Sequence, residues 1–175
     1  MHIMIDLETM GTRPNAPIIA IGAVKFTAMG VTDQTFYTNV DLASAVKDGG
    51  AVIDPDTVMW WMGQSDEARQ KLLSGAAPLR VALHDFTRWV VETGEPTGVW
   101  GNGASFDNVI LSETYKRVGM EPPWPFWNDR CYRTVKNMFP KIKMERTGTH
   151  HNALDDAESQ AEHLVRICDE FGEIL

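Results

Sequence analysis

His2-Ile3-Met4-Ile5-Asp6-Leu7-Glu8-Thr9 opens the chain, and its pattern decides how the fold begins. His2 to Asp6 is mostly apolar, which predicts a first buried strand, and Asp6-Leu7-Glu8-Thr9 closes it. Side chains alternate along a strand, so Asp6 and Glu8 project to one side, two residues apart. Two carboxylates in that relation repel each other and resist burial unless a cation sits between them. Taken alone, the pair fits a solvated strand end or the cap of a following turn equally well.

Further along, Ile18 to Phe26 is rich in Ile and Val and Thr35 to Val40 alternates, with loops carrying Gly11, Pro14, Pro17 and Met29-Gly30 between. These segments predict an antiparallel meander. From Asp41 onward helix signals dominate, over Asp56 to Met62, Asp66 to Leu73, and Leu79 to Glu92, where Val81, Leu83, Phe86, Trp89 and Val90 supply apolar positions. Thr97 to Gly101 reads as a short buried strand, and Ser105 to Val118 as a helix bounded by Gly119 with Asp107 in its first turn. After Pro122, Pro123 and Pro125 come a helix over about Tyr132 to Phe139, a polar loop to His150, and a last helix over about Asn152 to Phe171. Strands first and helices interleaved later predict a single α/β domain over 1–175, with a mixed sheet whose N-terminal strands are antiparallel and whose faces carry helices. No internal repeat, low-complexity tract or linker interrupts it.

At 175 residues, the chain can bury roughly 70% of its unfolded surface in one core. Its 43% hydrophobic and 23% charged residues, with 14 Gly and 9 Pro, exclude disordered, collagenous and coiled-coil classes. No apolar run approaches the roughly 20 residues of a membrane span, and Asp6 and Glu8 come too early for a secretory h-region. A cytoplasmic protein is the expectation. Cys131 and Cys168 form neither a metal-spacing motif nor a disulfide framework, consistent with a reducing compartment. The formal charge of −8 argues against a protein that coats long stretches of nucleic acid, although not against an enzyme gripping one end. Six of the 16 basic residues nonetheless fall between Arg130 and Arg146, where only Glu145 is acidic.

Two more segments carry carboxylates beside element ends. Trp100-Gly101-Asn102-Gly103-Ala104-Ser105-Phe106-Asp107 leaves a strand through small residues and places Asp107 at a helix N-terminus. His151-Asn152-Ala153-Leu154-Asp155-Asp156 sets an imidazole just before the last helix and carboxylates in its first turn. Each is also compatible with plain N-capping. Jointly, Asp6, Glu8, Asp107, His151 and Asp156 offer four carboxylates and one histidine. Mg²⁺ binds through a few carboxylates plus waters and phosphates, and two such ions about 4 Å apart can activate a water and stabilise a leaving oxygen. Histidine titrates near neutrality and suits a general base. The set predicts metal-dependent phosphodiester hydrolysis.

In order and spacing, D-x-E-T after the first strand, Asp107 before a middle helix, and H-x-A-x-x-D opening the last helix resemble the DEDDh, or DnaQ-like, exonucleases of the RNase H-like superfamily. Asp6-Leu7-Glu8-Thr9-Met10-Gly11, Trp60-Trp61 and Gln64-Ser65 are similar to its small phage and bacterial branch, labelled exonuclease VIII-like and related to a mycobacterial 3′-to-5′ exoribonuclease. The resemblance implies an RNase H-like fold and release of nucleoside 5′-monophosphates from the 3′ end of single-stranded or overhanging RNA or DNA. It implies that Asp6, Glu8 and Asp156 hold a catalytic Mg²⁺ or Mn²⁺ ion, that Asp6 bridges to a second held by Asp107, and that His151 is the general base. Glu8 and Thr9 would lie beside the terminal nucleotide, with Met10 near its base. Family members are often dimers, so a homodimer is an expectation.

His150 to Asp155 and His151 to Asp156 share a spacing of five. The family pattern places a small residue two after the histidine, and only His151 has one, Ala153. That register also aligns Ala153, Ala157, Ala161, Leu164 and Cys168 in one apolar stripe with Asp156 on its flank, so His151 and Asp156 are chosen.

Adjacent helical residues point about 100° apart, so one of Trp60 and Trp61 is expected in the core rather than both forming a base-stacking platform. The basic stretch before His151 could hold phosphates behind the scissile one, with Arg130 and Lys143 as substrate contacts. His2, His84 and His163 are expected in core or surface roles. A binding module that kept the fold and lost the chemistry is the rival reading, disfavoured by the complete set of carboxylates and histidine. A calcium buffer would need a ligand loop of about twelve residues, and none is present.

Overall fold

Alternation in the first strand sorts its side chains onto two cores. Ile3, Ile5 and Leu7 pack into one cluster, and Met4 joins another on the opposite face. The computed structural model describes residues 1–172, so the last three positions of the domain expected over 1–175 lie outside the described residues. Strands β1 (His2–Thr9), β2 (Ile18–Thr27) and β3 (Gly30–Asn39) form the antiparallel meander, while β4 (Gly98–Gly101) and β5 (Asp129–Cys131) extend the sheet in parallel from β1. The order is β3-β2-β1-β4-β5.

Seven α-helices among the described residues, with a 3-10 turn over Phe126–Asn128, complete the chain: α1 (Leu42–Lys47), α2 (Pro55–Met62), α3 (Asp66–Leu72), α4 (Leu79–Val91), α5 (Asp107–Arg117), α6 (Tyr132–Met138) and α7 (Ala153–Phe171). On one face of the sheet, α4 and α5 bury Leu83, Phe86, Ile110, Leu111 and Tyr115 against Ile3, Ile5 and Leu7. On the other, α6 and α7 lay Tyr132, Ala157, Ala161 and Leu164 over Met4, Val24 and Trp100. Each fully buried aliphatic or aromatic side chain stabilises this three-layer arrangement by about 1.5–3 kcal/mol relative to exposure. No helix among the described residues is long and apolar enough to cross a membrane.

Three departures from the sequence reading have local causes. α1 is six residues capped by Asp41, whose carboxylate accepts from the amides of Ala43 and Ser44, too short to display a period. β5 is three residues with two charges, and backbone pairing with β4 rather than any alternation makes it a strand. α5 starts at Asp107 instead of Ser105, because Gly103 at φ 120° turns the chain before the helix, and neither side chain caps it.

Two glycines allow the helices to approach the sheet. A Cβ on Gly22 of β2 would lie 2.1 Å from the carbonyl carbon of Ala153, so only glycine lets the first turn of α7 rest there. A Cβ on Gly101 would lie 2.5 Å from Asn108 Oδ1 and 2.9 Å from Asp107 Cβ. Both contacts set the height at which a carboxylate-bearing helix start meets the sheet, α7 over β2 and α5 over β4.

Candidate active site

Asp6 and Glu8 share the parity of Met4, so β1 presents both toward α7. Asp156, in the first turn of α7, meets them there: one carboxylate oxygen from each of Asp6, Glu8 and Asp156 can be chosen so that all three lie within 4.8 Å of one another. Asp107 reaches the same place from the opposite layer, over the end of β4, where its Oδ1 accepts the Leu7 amide at 3.3 Å. These four residues, with Thr9, His150 and His151, line a cleft of about 670 Å³.

Burial dominates the electrostatics. Glu8 is only 6% exposed, and its Oε1 is buried without a hydrogen bond from any described residue. Removal from water, reinforced by the charges of Asp156 and Asp107, pushes its carboxyl up to about 8. Burial likewise raises Asp107 to about 7, against the amide of Leu7, which favours the ionised form. Asp6 is raised well above the usual carboxylate range by burial and by Asp107, Glu8 and Asp156, opposed by the amide of Gln160, which donates to its Oδ1 at 2.8 Å. An orphaned carboxylate oxygen inside a cluster of mutually repelling oxygens is a donor set that fits a hard divalent cation.

A stability prediction follows from these directions. Glu8 and Asp107 have folded values above their ordinary 4.5 and 3.8. The unfolded chain therefore releases protons first, and stability falls as pH rises through the window from about 4 to about 8. Melting in EDTA is expected to occur at a lower temperature at pH 8 than at pH 5, and a divalent cation held by this donor set in the folded chain should shrink that gap. A flat or rising EDTA profile would contradict the burial of these carboxylates.

His151 sits in the left-handed region at φ 64°, the one non-glycine residue to do so among those described. Its amide donates to Asp156 Oδ2 at 2.9 Å, so this turn aims both side chains into the cleft. Burial, then the neighbouring His150, lowers the imidazole's pKa, leaving a neutral ring at pH 7. The two histidine rings stack at 3.8 Å, and Trp60 meets His151 edge-on at 4.9 Å. Asp155 turns the other way and accepts the Thr149 amide at 2.7 Å.

The tryptophan pair divides as helical geometry requires. Trp61 is 4% exposed and its Nε1 donates to the Thr9 carbonyl at 2.9 Å, fixing the end of β1, while Trp60 is 45% exposed at the cleft wall. Met10 packs against Ile19, Trp61 and Ala68 and does not line the cleft. Arg130 and Lys143 do not line it either. Arg130 donates to the carbonyls of Trp127 and Asp129, and Lys143 borders a separate hollow with Lys136 and His163.

The cations at the cleft are instead Arg133, which donates to the Asn102 carbonyl, and Arg146, which pairs with Asp156. Both belong to the basic stretch, but its composition does not distinguish them from their neighbours. Gln160 was legible in principle, since it lies four residues after Asp156 on the same helix face. His163 belongs to the core, accepting from the Tyr132 hydroxyl at 2.6 Å and donating to the Ile142 carbonyl at 3.0 Å.

Comparison with known proteins adds family to geometry. Residues 1–168 match the model of a family described as the 3′-5′ exoribonuclease Rv2179c-like domain. An exodeoxyribonuclease of Enterobacteria phage T4 is 26% identical over 161 residues, covering 75% of this chain and 68% of that protein. Among solved structures, the nuclease domain of 3'hExo, a DEDDh family member bound to rAMP, aligns with a TM-score of 0.65 at 17% identity, over 97% of this chain and 92% of that one. Exonuclease X in complex with 5′ overhanging duplex DNA aligns at 0.60 and 17% identity, over 99% and 94%. At 17% identity those structural likenesses carry the fold alone, the RNase H-like one.

Proposed function

This chain belongs to the 3′-5′ exoribonuclease Rv2179c-like family and is a 3′-5′ exonuclease, and from that premise we propose a two-metal reaction at the 3′ end of single-stranded or overhanging RNA or DNA. The observation that carries the proposal is the convergence of oxygens from Asp6, Glu8 and Asp156 within 4.8 Å, with a ring nitrogen of His151 within that same distance of an Asp156 oxygen. Asp6, Glu8 and Asp156 would hold one Mg²⁺ or Mn²⁺ ion, and Asp6 with Asp107 a second. Divalent ions bound there supply Lewis-acid stabilisation of the charge that develops on the phosphate and the leaving oxygen.

The protein's own groups do the rest. His151, neutral at pH 7 and held by its turn, accepts the proton of the attacking water. The water oxygen bonds to the terminal phosphorus as the P–O3′ bond breaks, so the terminal nucleoside leaves as its 5′-monophosphate, and the 3′ oxygen, protonated from the His151 imidazolium or from water, remains as the hydroxyl of the preceding nucleotide. Thr9, its Oγ1 donating to the Gly11 carbonyl at 2.7 Å, and Glu8 border the terminal nucleotide. Trp60 meets the ring of His151 edge-on at 4.9 Å, and both line the cleft. Single-stranded ends fit best, because the carboxylates lie on the floor of the cleft and a paired end would have to fray to reach them.

The test is a gel time course with 5′-labelled single-stranded RNA and DNA of one sequence, each with Mg²⁺, Mn²⁺ or EDTA. A ladder that shortens from the 3′ end with metal and not with EDTA is expected, and the faster ladder names the sugar. Absence of shortening on both strands, with folded protein, would defeat the reading and leave a binding module.

A further inference from the structure

Among the carboxylates of Asp6, Glu8, Asp107 and Asp156, one makes an ion pair with a described residue, and it is Asp156 with Arg146. The two oxygens of Asp156 are held by partners of different kinds. Oδ2 accepts the His151 amide, which the backbone fixes, whereas Oδ1 accepts Nη1 of a long side chain from the irregular segment 139–152. Arg146 is 45% exposed and Asp156 10%, so the guanidinium lies over the carboxylate from the solvent side and can leave without breaking the core. It neutralises one carboxylate of the cluster that fits a divalent cation.

We propose that Arg146 is an exchangeable counter-ion: it competes with a divalent cation for Asp156, and once displaced its guanidinium holds a substrate phosphate. Two cations sharing one carboxylate at such range repel each other, so a metal ion ligated by Asp156 weakens the arginine pair. The released group has a role at hand. Arg133 lines the same cleft, its guanidinium donating to the Asn102 carbonyl at the end of β4. Arg133 and Arg146, with a single carboxylate partner between them, give the cleft a cationic side that suits an anion. A phosphodiester, with two non-bridging oxygens, matches the fork of a guanidinium. The metal half of the proposal stands on the cleft alone, and the phosphate half rests on the exonuclease reading.

R146A and R146K separate the two halves. Titrated with Mn²⁺ in a calorimeter without nucleic acid, R146A is expected to bind about three- to tenfold more tightly than wild type, the size of a half-exposed ion pair removed as competitor. R146K keeps the charge and should bind Mn²⁺ within about twofold of wild type. At saturating Mn²⁺, both variants should raise KM for a single-stranded oligonucleotide about tenfold, R146A the more, with kcat changing less. In R146A the dependence of log KM on log salt should also flatten by about one phosphate contact. Equal or weaker Mn²⁺ binding by R146A overturns the competition, and an unchanged KM and salt slope in both variants overturns the phosphate role. Inactivity of wild type on every oligonucleotide would instead sink the exonuclease reading, while the Mn²⁺ titration would still decide whether Arg146 competes.

Discussion

Replacement of Asp6 by Asn is expected to lower turnover by about a thousandfold or more while leaving the protein more stable without metal. The two effects share one cause. Asp6 is the carboxylate proposed to be shared between both ions, so an amide oxygen there removes charge from each. Its own ionised form is opposed by burial and by Asp107, Glu8 and Asp156, and the Asn side chain removes that repulsion while its oxygen still accepts from Gln160 Nε2. Relief of a buried like-charge cluster stabilises by about 1–2 kcal/mol, which for a domain of this size raises the melting temperature in EDTA by about 2–8 °C. The gain should be largest near pH 8, where wild-type Glu8 and Asp107 are forced to ionise, and should fade toward pH 5. Addition of Mg²⁺, expected to raise the melting temperature of wild type, should do little for Asp6→Asn. A variant within about tenfold of wild-type turnover, or one that melts lower in EDTA at pH 8, would remove Asp6 from the centre of the site.

That the carboxylates could be read from sequence, and the arginines could not, has a physical basis. Asp6 and Glu8 are two residues apart on a strand, and His151 and Asp156 are five apart across a helix start, so local geometry nearly fixes their relation. Asp107 needed only the recognition that a helix begins beside a strand end. The split between Trp60 and Trp61 likewise followed from helical rotation. Arg146 projects from 139–152, a run with no helix or strand, and no period relates it to Asp156 ten residues later. Within one basic stretch, composition could not tell Arg133 and Arg146 from Arg130 and Lys143, because the choice depends on which side of α6 and its flanks faces the cleft. β5 and α1 escaped for a related reason: each is shorter than the window over which alternation or amphipathicity can be recognised.

His151→Asn is the sharpest test of the proposed base, because it removes the ring and little else. Asn tolerates the left-handed conformation that His151 adopts at φ 64°, so the turn can persist. The amide that holds Asp156 Oδ2 belongs to the backbone and is retained. Mn²⁺ affinity is therefore expected within about threefold of wild type, while kcat falls by about 10²–10⁴, the range for loss of a positioned general base. The pH profile separates this from a mere shift in geometry. In wild type at saturating metal, kcat should rise along an acid limb centred below the ordinary histidine value of 6.5, since burial and His150 both disfavour the imidazolium. With His151→Asn that limb should disappear. At limiting metal a different rise is expected in both proteins at higher pH, because Glu8 and Asp107 must release protons to bind the cations. An acid limb that survives His151→Asn at saturating metal would assign the proton to another group in the cleft, with His150, stacked at 3.8 Å on the same ring, the nearest to take it.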